Sequence, residues 1–516
     1  MPRVSFAATA SEKAAQLASL PAGLLAGAIS GGLLFLAFPP ADLWFLAPVA
    51  LIPLALHFAV GRMGSVAAAG VAFGLVFNGL LLYWIRLFGP APYVALTIVQ
   101  TLWIVVALVV GVLVRDRIPA KVRFLALPLV FLLQEFARSR IPWEGFGWGG
   151  LGYTQHDNRL ALRLAAYTGV WGLSFLVGLA NSLLAESILS YRSRHQFGLV
   201  ATALAGMALF PAVLPVPTPD GPAVKVAMIQ GNVPEDTLDP NADDDIVVAN
   251  HVRLTEEVAG TNPDLVVWPE GAFDRDPLLR SDYRQTLVES VRRTDAHFLV
   301  GAILGTGVQG DLRNSSLLLD PQGEVQDIYT KQRLVPFGEW VPLRSFLQPL
   351  VPDVGRIPFD QNPGKESTVF ELPQGSFAAL ICYESTYPDL VRTFVREGAR
   401  MLVVSANFSS FDHSAASAQH IAFTQMRAAE QRMWVAHASI SGISAVVDPA
   451  GRVLQQTGLF EPATLVPTLP MATTTTPYAR LGDWVPAAAA LTVAAALLAP
   501  AFRIGRRREA AGTAAA

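Results

Sequence analysis

The sequence predicts two architectures in one chain: a multi-span α-helical membrane bundle of about eight spans, and a water-soluble α/β domain placed before the last span. Three observations predict it. Apolar runs close to the ~20 residues that a helix needs to cross a bilayer fill the first two-fifths of the chain and return near its end. The stretch from about Val224 to Leu469 has instead the mixed composition of a soluble domain. Within it, short apolar runs alternate with polar, helix-like segments, the pattern of layered α/β domains. Bulk composition agrees. Hydrophobic residues make up 52% and charged residues 15%, against about 25% charged in ordinary soluble domains. Mean hydropathy is +0.40. A net charge of −3 offers no basic footprint for nucleic acid. A single cysteine excludes an intrachain disulfide.

The expected spans are 21–38, 43–60, 65–85, 91–114, 124–136, 164–189, 197–216 and 484–502. The first follows Arg3 and Lys13 as a signal peptide would, but more spans follow at once, so it is expected to stay. Orientation follows from Lys and Arg in short loops. Arg62, the group Arg115, Arg117, Lys121 and Arg123, the pair Arg192 and Arg194, and the run 506–508 all fall on one side. The connections 39–42 and 89–90 on the other side lack such charges. Arg138, Arg140, Arg159 and Arg163 depart from the pattern. Both termini are therefore expected in the cytoplasm and the soluble domain outside it, in a bacterium on the periplasmic face of the inner membrane. The Pro-rich stretch 215–222 and the Thr run 473–476 read as linkers. They divide the chain into 1–218, membrane; 219–472, soluble domain; and 473–516, linker, last span and basic tail. The acidic run Asp243, Asp244 and Asp245 reads as a solvated turn or helix start, since calcium-loop spacing is missing.

In the soluble part, 225–233, 264–270, 297–304, 315–320, 376–384, 400–407 and 444–451 read as strands, and 243–259, 282–295 and 417–433 as helices. Three groups stand at apparent strand ends. FAALICYES carries the lone Cys382 where an apolar run turns polar. DLVVWPE ends at Glu270; Pro269 cannot donate to a central ladder, so the strand is expected to stop there. Lys331 follows a short strand and opens an irregular segment. Each has a plain structural alternative: a small buried hydrophobe for the cysteine, a surface ion pair for the glutamate, a solvated amine for the lysine. Together their chemistry fits. A thiol attacks only as thiolate, a carboxylate can take its proton, and an ammonium favours the thiolate and an oxyanion. That is an acyl-transfer site without histidine. His413, His420 and His437 show no metal-ligand spacing and read as surface or core residues.

The motifs WPE (268–270), K-x-x-LVPFGE (331–339) and CYE (382–384), in that order, resemble the nitrilase superfamily, with its Glu-Lys-Cys triad and α-β-β-α sandwich. LVPFGEWVP, TPYARLGDW, AFPP (37–40) and GYTQ (152–155), with about eight spans, extend the likeness to the bacterial apolipoprotein N-acyltransferase family. The resemblance implies Glu270 as proton acceptor, Lys331 as stabiliser of the intermediate and Cys382 as nucleophile. It implies support from Glu339, Tyr383, Glu384 and Asn407. It implies two-step transfer of an acyl chain from a membrane phospholipid, through a cysteine thioester, to the α-amine of a diacylglyceryl-cysteine on apolipoproteins. No cofactor, metal or nucleic acid is expected, and a monomer is. The sequence departs from the family at Leu238-Asp239-Pro240 and at Ser410, where the family carries tryptophans; Asn407 and Phe411 are kept. Trp143, Phe146, Trp148 and Tyr153 either line a lipid opening or form an interfacial aromatic belt. Glu135 and Glu144 are expected to pair with nearby arginines. The rival readings are a membrane-tethered amidase with the same triad and a transporter or receptor carrying a nitrilase-like domain.

Overall fold

The computed structural model describes residues 16–189, 194–234, 240–305, 311–349 and 359–513. The chain divides into two compact units. One holds Met1–Leu164, Val170–Leu214 and Asp483–Ala516; the other holds Ala165–Gly169 and Pro215–Gly482.

The first unit is helical. Its main helices are α1 (Leu20–Phe35), α2 (Ile52–Val60), α3 (Met63–Leu81), α4 (Pro90–Arg117), α5 (Ala126–Arg138), α6 (Arg159–Leu189) and α7 (Arg194–Leu209), with a last helix over Trp484–Thr513. Helix thus occurs in every apolar run. Among the described residues three helices, α3, α4 and α6, are long and apolar enough to cross a membrane. Ser19 caps α1, its hydroxyl accepting from the Ala22 N–H. Gly23, Gly27 and Gly31 lie every four residues along α1 and let it meet α3 backbone to backbone. A methyl on Gly27 would stand 2.1 Å from the Ala69 carbonyl oxygen. The chain leaves helical geometry inside α6 at Gly169 (φ 64).

Helix α5 spans 13 residues, about 20 Å at helical rise. It is buried along most of its length. Its last turn carries buried polar groups that fix the following segment. The Glu135 carboxylate accepts from the Leu151 N–H at 2.9 Å, and Arg138 donates to Gln100 and to the carbonyls of Phe146 and Trp148. Glu135 therefore spends a direct hydrogen bond on backbone, while the Arg138 charge acts on it through space. Trp148 stacks on Phe146 and is buried, as is Tyr153; Trp143 is exposed.

The second unit is a sandwich of two sheets. Its strands are β1 (Ala223–Gln230), β2 (Leu265–Phe273), β3 (His297–Leu304), β4 (Arg313–Leu319), β5 (Val325–Thr330), β6 (Val369–Leu372), β7 (Gly375–Ile381), β8 (Met401–Ala406), β9 (Val435–Ser439), β10 (Ala445–Val447), β11 (Val453–Gln456), β12 (Ala463–Leu465) and β13 (Thr468–Pro470). The first sheet runs β12-β1-β2-β3-β4-β5, with β13 also on β1; the second runs β11-β10-β9-β8-β7-β6. Each has a parallel centre, β1-β2-β3 and β7-β8-β9, with antiparallel flanks. The centres are buried on both faces because the sheets stack on each other and carry helices outside. Helices α8 (Pro240–Ala259) and α9 (Ser281–Thr294) cover the first sheet; α10 (Pro388–Glu397) and α11 (Ala416–Gln431) cover the second.

One expectation is corrected. Strand β2 does not stop at Pro269 but continues to Phe273. Its pairing with β3 jumps from Trp268↔Val300 to Phe273↔Ala302, so residues 269–272 form a bulge. A proline needs no ladder partner inside a bulge, so its missing N–H does not end the strand. Glu270 therefore projects from a bulge, not from beyond a strand end.

Candidate active site

The site grows from strand ends and one bulge. Strand β7 is an apolar run, buried up to Ile381. The next residue, Cys382, has φ +49 and starts a single 3-10 turn, Cys382–Thr386. The turn is held from beneath by Glu384. One of its oxygens accepts from the Ile381 N–H at 2.9 Å. The other accepts from the Tyr329 hydroxyl and the Gln332 N–H, both at 2.7 Å, and from the Arg333 N–H at 3.2 Å. Glu384 is fully buried and so clamps the Cys382 turn to the segment after β5.

That segment begins with Lys331, which is 1% exposed. Its ammonium donates to Glu270 Oε1 at 3.1 Å and to Glu339 Oε1 at 2.7 Å. Asn314, at the start of β4, joins the same two oxygens, donating to Glu270 at 2.7 Å and to Glu339 at 3.0 Å. The Val335 N–H donates to the other Glu339 oxygen. The second Glu270 oxygen accepts from the Asn407 N–H at 2.9 Å, just past the end of β8. Cys382 lies near enough for the charges of Glu270 and Lys331 to act on its thiol. The structure thus gathers Glu270, Lys331, Glu339, Cys382 and Asn407, which are far apart in sequence, into one cluster. Tyr383 is buried edge-on against Tyr387. Ser410 is exposed in the turn after β8, and Leu238 and Asp239 lie outside the described residues.

One cation is shared by two carboxylates, which sets the electrostatics. Burial works against the Lys331 charge, but Glu270 and Glu339 outweigh it and hold the ammonium well above its ordinary value. Burial raises the Cys382 thiol, and the Glu270 charge raises it further against the opposing pull of Lys331. The residue as a whole is half-buried. The resting thiol is therefore protonated. Burial also raises Glu384, against the hydrogen bonds it accepts.

The sequence does not single out Asn314, and His420, read there as a surface or core residue, is buried and touches the Cys382 turn. Asn314 sits in a polar start, RNSS, that resembles a turn. His420 contacts the Cys382 carbonyl from a helix buried on nearly every face, where no amphipathic pattern marks it. The one grouping with metal-like spacing among the described residues is Asp42, His156 and Asp157. There His156 is already engaged through both ring nitrogens, with Asp42 and with the Tyr153 carbonyl.

Residues 30–183 match the apolipoprotein N-acyltransferase N-terminal domain family, and residues 225–477 match the carbon-nitrogen hydrolase family. An apolipoprotein N-acyltransferase of Geobacter metallireducens is 33% identical over 91% of this chain and 94% of its own length. One from Mycolicibacterium smegmatis is 32% identical over 93% of this chain and 86% of its own. Among solved structures, an amidase from Nesterenkonia sp. AN1 aligns with 51% of this chain and 97% of its own, at 20% identity and a TM-score of 0.38. With both halves matched in order and relatives aligned over nearly their whole length, the chain belongs to the apolipoprotein N-acyltransferase family.

Proposed function

We propose that the chain transfers an acyl chain from a membrane phospholipid to the α-amine of a diacylglyceryl-cysteine at the N-terminus of apolipoproteins. The observation that carries this reading is the buried Glu270–Lys331–Glu339 hydrogen-bond chain beside a partly exposed Cys382, in a chain whose full-length relatives are named for this activity. In the first half-reaction Cys382 Sγ attacks the carbonyl carbon of a phospholipid ester, at the sn-1 chain. Glu270 takes the thiol proton as the C–S bond forms. Lys331 and backbone N–H groups face the oxyanion. Its collapse breaks the C–O bond, and the lysophospholipid leaves with the proton from Glu270. A thioester remains. In the second half-reaction the acceptor amine attacks that thioester, Glu270 takes the amine proton, the C–S bond breaks and the thiol is restored. The exchange is ping-pong, because both substrates use the same sulfur in turn.

The same reading places eight spans in the bacterial cytoplasmic membrane, both termini in the cytoplasm and residues 219–472 outside it, with 1–218 and 473–516 carrying the spans. A single chain contains every group that the chemistry uses, so the active form is a monomer. Lipid substrates explain why a hydrolase-type domain would be tied to a bilayer. An acyl chain exposed to water costs about 0.8 kcal/mol per CH₂, so both substrates must reach the sulfur from the bilayer side. The test uses purified enzyme, phospholipid labelled in its acyl chain and a synthetic diacylglyceryl-cysteine peptide. Wild type labels the peptide with parallel double-reciprocal plots, and Cys382→Ala labels nothing. Transfer by Cys382→Ala at the wild-type rate would sink the reading. Full-rate thioester formation by Glu270→Gln would remove Glu270 as the base.

A further inference from the structure

The turn that presents Cys382 is held by a buried group with no part in the acyl-transfer steps. Cys382 sits at φ +49, a left-handed conformation that is strained for a non-glycine residue. Something must hold it there. Its carbonyl oxygen lies 3.0 Å from Nε2 of His420 on α11. The same nitrogen lies 2.9 Å from Ser385 Oγ, three residues further along the turn. A carbonyl can only accept, so Nε2 carries the hydrogen and the tautomer is fixed. One N–H thus faces both the start and the fourth residue of the nucleophile turn.

The surroundings hold the ring itself. His420 is buried. It packs on the Phe408 ring at 5.1 Å and edge-on against His437, also at 5.1 Å. His437 Nδ1 in turn lies 2.8 Å from Thr424 Oγ1, one helical turn along α11 from His420. Burial lowers His420 to about 4, so the imidazole is neutral near pH 7 and brings no second positive charge beside Lys331.

We infer that His420 is a positioning residue for the nucleophile: its Nε2–H pins the Cys382 carbonyl and so fixes the left-handed turn that points Sγ at Glu270 and Lys331. The inference rests on the reading of Cys382 as the nucleophile. It assigns a role to geometry alone, since the ring neither donates to nor accepts from a reacting atom. A misplacement of about 1 Å at a reacting atom costs roughly 10²-fold in rate, which sets the expected size of the effect.

The test separates reach from polarity. In His420→Gln the side-chain amide NH₂ falls near the place of Nε2; in His420→Asn it falls short, near Nδ1. Both variants are polar; Gln keeps nearly the bulk of imidazole, and the melting temperature reads what the smaller Asn loses in packing. Three readouts are taken: acylation of Cys382 by phospholipid in a single turnover, KM for phospholipid, and thermal unfolding. The alkylation rate with iodoacetamide adds a fourth, and it reports on one site because the chain has no other cysteine. The expected result is acylation by the Gln variant within about tenfold of wild type and by the Asn variant down about 10²-fold, with KM unchanged in both. Alkylation should follow the same order. Equal activity of Asn and wild type would overturn the inference. So would parallel losses in Gln and Asn that track the fall in melting temperature, which is what a merely structural histidine would give. If instead wild type itself shows no acyl adduct on Cys382, the nucleophile assignment fails, and the alkylation order still decides whether His420 orients the thiol.

Discussion

At Lys331 the ammonium has almost no water, so Glu270 at 3.1 Å and Glu339 at 2.7 Å take the place of its hydration shell. Two carboxylates around one cation are stable only while that cation stays. Lys331→Met would leave them facing each other unpaired. We expect it to cost about 3–5 kcal/mol, the scale for breaking a buried ion pair from one side, and to abolish acylation. A fall in melting temperature with loss of thioester labelling checks both. Asn314→Ala removes the neutral donor to the same two oxygens. Its expected cost is about 1–3 kcal/mol, with acylation lowered but not lost, as read by single-turnover labelling. Buried histidines give a pH signature. His251 and His420 are both lowered from 6.5 to about 4, chiefly by burial. Between those values the unfolded chain binds protons that the folded state does not. Stability from this source is complete above pH 6.5 and falls as pH drops towards 4, by on the order of 1–3 kcal/mol per histidine. Thermal unfolding from pH 7.5 down to 4.5 should show the slope, and His251→Gln, which cannot titrate, should flatten it.

Among the elements, the bulge in β2 depends on its neighbour. A methyl on Gly301 of β3 would stand 2.4 Å from the Pro269 carbonyl and 2.7 Å from the Glu270 backbone. Gly301→Ala should push the bulge away and carry Glu270 off Lys331. The expected outcome is at least the 1–3 kcal/mol typical of overpacking and a larger loss of activity than of stability, measured as acylation rate against melting temperature. This feature also shows where sequence reading ends. The chemistry of Glu270 was legible in WPE, but its placement was not, because a bulge is a register between two strands and leaves no local pattern. Cys382 was legible in place because an apolar run breaks into polar residues there, and Lys331 because a short strand gives way to an irregular segment. Central strands such as β7 and β8 announced themselves by continuous apolar runs. The edge strands β6, β11 and β12 did not, being short and largely half-exposed or exposed. Asn314 and His420 act across tertiary contacts, and nothing near them in sequence signals that.

On the scale of the molecule, the membrane reading makes a prediction of its own. In a Cys382→Ala chain, a cysteine introduced at the exposed Ser281 of the second unit should react with an impermeant maleimide applied outside intact cells. One introduced at the exposed Arg62, between α2 and α3, should react only after the membrane is opened. Labelling of both from outside would remove the proposed orientation. The proposed function explains the tie between a hydrolase-type sandwich and an apolar helical unit by one sulfur serving two lipids in turn. That claim is tested most directly by mass spectrometry of the Cys382 peptide after the purified enzyme meets a phospholipid of known acyl chain, without acceptor. The account predicts a mass gain of one acyl chain on that peptide, removed by hydroxylamine and by the acceptor peptide. An unmodified Cys382 in enzyme that still passes acyl chains to the acceptor would contradict it.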